Sequence, residues 1–334
     1  MMKVSVVILN WNGCDMLRTF LPSVVRYSEG EGVEVCVADN GSTDTSVSLL
    51  QQEFPSVRTI VLDQNYGFAD GYNWALQQVD AEYVVLLNSD VEVTEHWLEP
   101  MIAYLDAHPE VAACQPKIRS QRQKEYFEYA GAAGGFIDKY GYPFCRGRIM
   151  GVVEKDEGQY DTVIPVFWHT DYVNVGGLDG RFFAHMEEID LCWRLRSRNR
   201  EIVCVPQSIV YHVGGATLKK ENPHKTFLNF RNNLVMLYKN LPQEELNKVM
   251  RIRTCLDYLA AFNFLLQGHW DNASAVMRAR KEYKRLCPSF SLSREENMRK
   301  KTLNPIPERT KSSILWQFYA RGCKRFSQLS DLKG

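Results

Sequence analysis

Short apolar, β-branched runs alternate with stretches of helical periodicity through the first hundred residues, and few architectures accommodate that order. Residues 4–9, 33–38, 57–62 and 83–87 read as strands, and 15–27, 44–53 and 68–78 as the helices between them. Strands that are apolar on both faces and alternate with helices specify a parallel sheet covered on both sides. The fold class is therefore α/β, with a mostly parallel central sheet and flanking helices. In such sheets ligands bind at the carboxyl ends of the strands, which selects the loops after Leu9, Ala38 and Leu87.

The remaining chain is read less evenly. From 119 to 160 aromatic, glycine and charged residues follow no period, and irregular hairpins and loops are expected. A second ordered block opens at Gly176-Gly177-Leu178-Asp179, continues through a helix over 188–198, and ends in strands 201–206 and 209–212. Beyond 225 the pattern is helical, with Val249, Ile252, Leu256, Leu259, Phe262 and Leu266 on one face. This divides the chain into 1–240, itself halved at 118, and a helical extension over 241–334.

Charge and cysteine usage exclude several classes. Lys plus Arg equals Asp plus Glu at 40 each, which argues against nucleic acid as a partner. The nine cysteines show no pair at zinc-ribbon spacing, and a reducing compartment is expected. No charged leader precedes the first apolar run, and the longest apolar helix, 255–267, is short and interrupted by Asp257 and Asn263, so the chain is read as cytoplasmic. Arg251, Arg253, Arg278, Arg280, Lys281, Lys284 and Arg285 surround the C-terminal apolar stripe. Core cover or a homodimer contact is expected of that stripe, with peripheral contact at the inner face of the cytoplasmic membrane as the alternative.

Four groups of residues carry chemistry. Asp39-Asn40-Gly41-Ser42-Thr43-Asp44 leaves a buried strand through a tight turn, where a carboxylate either accepts from a base imide or ribose hydroxyl or caps backbone amides. Asn88-Ser89-Asp90 ends the most apolar strand, and Asp90 is placed to offer an oxygen to magnesium or manganese that also contacts substrate phosphates, or to cap a helix. Glu187-Glu188-Ile189-Asp190 sits at a helix start between apolar walls, which raises a carboxylate's pKa toward that of a general base. His212 precedes glycines and the cations Lys219, Lys220 and Arg231, the composition of a metal site or a loop that closes over phosphates. No G-x-G-x-x-G follows the first strand, so a dinucleotide oxidoreductase is set aside.

Taken in order, the first strand with Asn10, the Asp39–Asp44 hexapeptide, Asn65-Tyr66-Gly67-Phe68-Ala69 with Asn73, and Asn88-Ser89-Asp90 resemble family 2 glycosyltransferases of the GT-A fold. The block from Gly176-Gly177-Leu178-Asp179 through Phe182-Phe183, Glu187 to Leu191 and Trp193-Arg194 is similar to the acceptor-side half of the rhamnosyltransferase-like branch. The resemblance covers residues 3 to 240 and implies a Rossmann-like GT-A domain, with a nucleotide-sugar half at 1–118 and an acceptor half at 119–240.

It further implies inverting, metal-dependent transfer from a UDP- or dTDP-sugar to a glycan or lipid-linked acceptor in cell-surface polysaccharide synthesis. Sugar-donor contacts would then come from Asn10, Asp39, Asn65, Asp70, Asn73, Asn88, Ser89, Asp90, Lys219 and Arg231. Mg2+ or Mn2+ would sit on Asp90 with His212, and Glu188 or Glu187 would be the base. Two departures stand out: the family's second acidic position is glutamate here, at 188, and the usual small-residue strand with its arginine is missing from 167–176. They make a nucleotide-sugar-binding protein with weak or no transferase activity the alternative.

Overall fold

The computed structural model of the chain describes residues 1–128, 131–166, 177–214 and 222–329. The segment 167–176 and Lys219 fall outside these residues. Strands β1 (Met2–Asn10), β2 (Val33–Asn40), β3 (Arg58–Leu62) and β4 (Ala81–Asn88) form an all-parallel sheet in the order β3-β2-β1-β4. Helices α1 (Cys14–Tyr27), α2 (Ser46–Glu53) and α3 (Gly67–Leu76) connect them. Side chains alternate across a strand, and β1 shows the consequence. Val4, Val6 and Ile8 pack with Leu17, Leu21 and Val24 of α1, whereas Val7 packs with Ala69, Tyr72 and Ala75 of α3.

A second, mixed sheet continues the molecule. It contains β5 (Val91–Val93), β6 (Val111–Ser120, after α4 at Glu99–Ala107), β11 (Ile164–Pro165) and β12 (Glu201–His212). The two strands expected over 201–212 are one: β12 runs through, and the Pro206-Gln207-Ser208 interruption is a register shift against β6 between Val205 and Ile209. Between them β7 (Gly135–Ile137), β8 (Pro143–Cys145), β9 (Arg148–Ile149) and β10 (Val152–Val153) make the small antiparallel meander expected of the aperiodic stretch.

Helix α5 (Glu187–Ser197) is enclosed on all sides. Leu191, Cys192 and Leu195 face the parallel sheet's core, and Ile189 and Trp193 face a cluster built with Val235 to Leu237 of α6 (Pro223–Asn240). That same cluster includes Leu246 and Val249 of α7 (Gln243–Leu266), and α8 (Trp270–Leu286) and α9 (Ser291–Lys300) follow.

Helix is the expectation to the end of the chain, but the last α-helix ends at Lys300, and only a short π-helix at Trp316–Ala320 and a 3-10 turn at Phe326–Gln328 follow. Pro305 and Pro307 lack the amide hydrogen a helix needs, and the segment instead lays Arg309 beside Ile137 of the meander. No helix among the described residues is long and apolar enough to cross a membrane.

Candidate functional site

The strand register sets up the site. Asn10 and Asp39 are partners across β1 and β2, and Leu9 pairs with Asn88 across β1 and β4, so three strand ends finish level. The strands that lead to Asp39 and toward Asp90, β2 and β4, are two strand spacings apart, about 10 Å, with β1 between them. Asp39 is fully buried, and its carboxylate accepts from Asn10 Nδ2 at 3.0 Å and from the Ser42 amide at 2.9 Å. Asn10 Oδ1 is buried without a hydrogen-bond partner. The turn that frees Asp39 depends on Gly41 at φ 71°, where a Cβ would meet the Gln64 backbone at 2.4 Å. Asp44 is also engaged, accepting from the Ser46 amide at the start of α2 and from the Cys14 amide at the start of α1.

Asn65 precedes α3, and Asp70 and Asn73 lie on it. Asn65 Oδ1 accepts from Asn40 Nδ2 at 3.1 Å and from the Gly67 amide at 2.8 Å, which fixes the entry to the helix. Asn73 exchanges two hydrogen bonds with the Leu178 backbone and donates to Asp70 at 3.0 Å. Asn88 is exposed at the strand end, with Ser89 half-buried beside it.

Asp90 is buried and leads into β5, so it caps no helix. Its Oδ1 lies 3.2 Å from His212 Nε2, and His212 Nδ1 lies 3.2 Å from Glu128 Oε2. Burial alone would lower the His212 pKa, but the two carboxylates outweigh it and hold the ring at about 9. Glu128 comes from the aperiodic stretch, where no periodicity marks it. Among the described residues no group of three or more His, Cys, Asp or Glu side chains could hold a metal ion. Asp90 supplies an oxygen that suits Mg2+ or Mn2+ if substrate oxygens and waters complete the shell, whereas His212, with both ring nitrogens on carboxylates, must give up its proton before it adds a nitrogen.

Opposite conditions hold at the start of α5. Glu187 is 3 % exposed and Glu188 half-buried, and Oε2 of each is buried without a partner. Burial pushes Glu188 up to about 7, and burial together with the neighbouring Glu188 charge pushes Glu187 well above the carboxylate range. Asp190, the third acid of the cluster, is satisfied: Arg194, Lys239 and Asn240 approach it at 3.1, 2.7 and 2.8 Å. It anchors the helix.

The loop before α5 is strained, with Phe183, His185 and Met186 at φ 66°, 70° and 73°. Asn232 holds it, its Nδ2 lying 2.9, 2.8 and 2.7 Å from the carbonyls of Phe182, Ala184 and His185. Arg231, expected at the sugar donor, here donates to the Phe182 carbonyl at 2.8 Å and to Asn232. The Phe183 carbonyl accepts from the Phe68 amide at 2.8 Å, which joins the glutamate loop to the first turn of α3. Gly67, at φ 75°, leaves room for the Phe183 ring, which a Cβ would meet at 2.6 Å.

Comparison with known proteins agrees with this architecture. The family model described as Glycosyl transferase family 2 matches residues 5–153. The O-antigen biosynthesis protein RfbC of Myxococcus xanthus is 25 % identical over 241 residues, 66 % of this chain but 18 % of that protein, so the chain spans under a fifth of its length. The N-acetylglucosaminyl-diphospho-decaprenol L-rhamnosyltransferase of Mycobacterium tuberculosis is 26 % identical over 230 residues, 62 % of this chain and 75 % of that protein. The crystal structure of GalNAc-T7 with UDP, GalNAc and Mn2+ superposes with a TM-score of 0.56 at 14 % identity, covering 93 % of this chain and 60 % of that one. Together with the level strand ends, the Asp39 turn and Asp90 after β4, these matches show that the chain has the GT-A fold and that its residues 5–153 are similar to glycosyltransferase family 2.

Proposed function

We propose that the chain transfers a sugar, with inversion, from a nucleoside-diphosphate sugar to a hydroxyl of a glycan or lipid-linked acceptor during synthesis of a cell-surface polysaccharide. The observation that carries this reading is one continuous arrangement. The turn of Asp39 and Asn40 is hydrogen-bonded by Asn40 to Gly67 at the start of α3, and the Phe68 amide of that helix bonds to the loop that presents two glutamates whose buried Oε2 atoms have no partner. Asp39 and Asn10 face the nucleoside, with the partnerless Asn10 Oδ1 open to an N–H or O–H of the ligand. A magnesium or manganese ion on Asp90 and His212 would supply positive charge to the departing diphosphate.

Glu188 accepts the proton of the acceptor hydroxyl as that oxygen bonds to the anomeric carbon. The bond from that carbon to the diphosphate breaks, and its electron pair leaves with the diphosphate. One displacement inverts the centre and needs no covalent nucleophile. A pKa of about 7 supports Glu188 over Glu187, because a base works best with a pKa near the operating pH. Rhamnose as the sugar and a polyprenyl-diphosphate-linked acceptor are favoured by the mycobacterial relative's name.

The test incubates the full chain with manganese, UDP- and dTDP-sugars, and a polyprenyl-diphosphate N-acetylglucosamine. Acceptor-dependent release of one nucleoside diphosphate is expected, with the product anomer opposite to the donor's by NMR. A retained anomer overturns inversion. Nucleotide binding without release under any pairing leaves only the binding-protein alternative.

A further inference from the structure

The hairpin of α7 and α8 carries the largest group of exposed apolar side chains among the described residues. Leu266 and Trp270, on either side of its turn, are 71 % and 70 % exposed, and Tyr258, Leu259, Phe262 and Met277 are each at least 47 % exposed. Between the helices lies an apolar cleft of about 470 Å3. The hairpin is rigid: Arg253 and Arg280 both bind the buried Asp257, and Asn272 donates to Thr226 of α6 at 2.8 Å. Nothing among the described residues covers this end.

Away from the turn the same faces change character. On α8 the exposed step through Trp270, Ser274 and Met277 continues to Lys281 and Lys284, and on α7 the stripe runs back to Arg251. These three cations are exposed and form no ion pair with a carboxylate among the described residues. Eleven residues separate Trp270 from Lys281, about 16 Å of helix. That exceeds the ~5–10 Å to which interfacial helices sink, so the cations remain at headgroup level while the turn enters the acyl boundary. A second copy packed two-fold on this face would set these cations against each other or against apolar side chains.

We infer that the α7–α8 hairpin docks the protein on an anionic lipid bilayer, apolar turn inward and Arg251, Lys281 and Lys284 on the headgroups.

The test is flotation of the full chain with phosphatidylcholine vesicles, with and without phosphatidylglycerol. The wild type floats with the anionic vesicles. Replacing Phe262, Leu266 and Trp270 by Ser abolishes flotation, and replacing Arg251, Lys281 and Lys284 by Ala weakens it about a hundredfold, at about fivefold per cation. Because all six side chains are exposed, the melting temperature should not move, which separates lost docking from lost folding. No flotation of the wild type overturns the inference. So does a dimer by sedimentation equilibrium that Phe262→Ser dissociates. Vesicle binding requires no sugar transfer, so its failure leaves the roles of Glu188 and Asp90 untouched.

Discussion

At the carboxyl end of the parallel sheet, Asp39 is buried with two hydrogen bonds, and Asn40, Asn65 and Asn73 are tied to the backbone around α3. At the start of α5, buried Glu187 and half-buried Glu188 each hold a partnerless Oε2 behind a loop with three left-handed residues. A satisfied polar group costs little to bury and keeps its position and charge. A partnerless carboxylate destabilises the fold when ionised, and that cost raises its pKa toward the value a base requires. On the proposed reading the first region binds and the second reacts, and helix α5 bears the second, anchored by Asp190 to Lys239 and Asn240.

The sharpest break in this comparison is Glu188→Gln. Turnover should fall by about 10^2 to 10^4, while the melting-temperature shift caused by nucleoside diphosphate persists. A loss of nucleotide binding instead would mean that the two regions are not separate in role.

Next comes the pH dependence of stability. Glu188 is held at about 7 in the fold against 4.5 for the free side chain. Between those values the folded state binds more protons than the unfolded state, so stability is full below about 4.5 and is lost as pH rises through about 7. Glu188→Gln should make this loss smaller by about 3 kcal/mol in urea denaturation, leaving the part that the raised Glu187 contributes. A stability that rises over this window in the wild type would mean the carboxylate has a partner.

How far the sequence revealed these regions depended on whether structure was local. The parallel strands were legible because β1 buries both faces and each helix follows at its own period. The Asp39 turn was legible because Gly41 and Asp44 carry its geometry within six residues. The Glu187–Asp190 cluster was legible as a group but not by member, because Lys239 and Asn240, about fifty positions away, decide that Asp190 is structural. Glu128 was missed since only the approach of β12 brings His212 to it across 84 positions. The stretch 119–160 had no period because Phe136, Phe144 and Tyr160 pack on Phe326 from the far end of the chain.

Asn232→Ala sharpens the comparison from the strained side. It removes the donor to the carbonyls of Phe182, Ala184 and His185, and should cost about 1 to 3 kcal/mol in thermal unfolding. With the loop released, kcat should fall while KM for the nucleotide sugar stays near the wild-type value. The smallest effect belongs to Asp39→Asn, where the amide keeps the shape but loses the charge. Affinity for the nucleoside diphosphate should drop about tenfold, and stability should change by less than about 1 kcal/mol. If Asp39→Asn unfolds the protein more readily than Asn232→Ala, the contrast drawn here is wrong.

The central claim is that a metal-assisted nucleotide site and a separate base loop share one fold. It is tested by melting temperature under titration with UDP and dTDP, with and without manganese, for the wild type, Asp90→Ala and Glu188→Gln. The account predicts a manganese-dependent rise for one diphosphate that survives in Glu188→Gln and disappears in Asp90→Ala. No rise with either nucleotide, or a rise kept in Asp90→Ala and lost in Glu188→Gln, would contradict it.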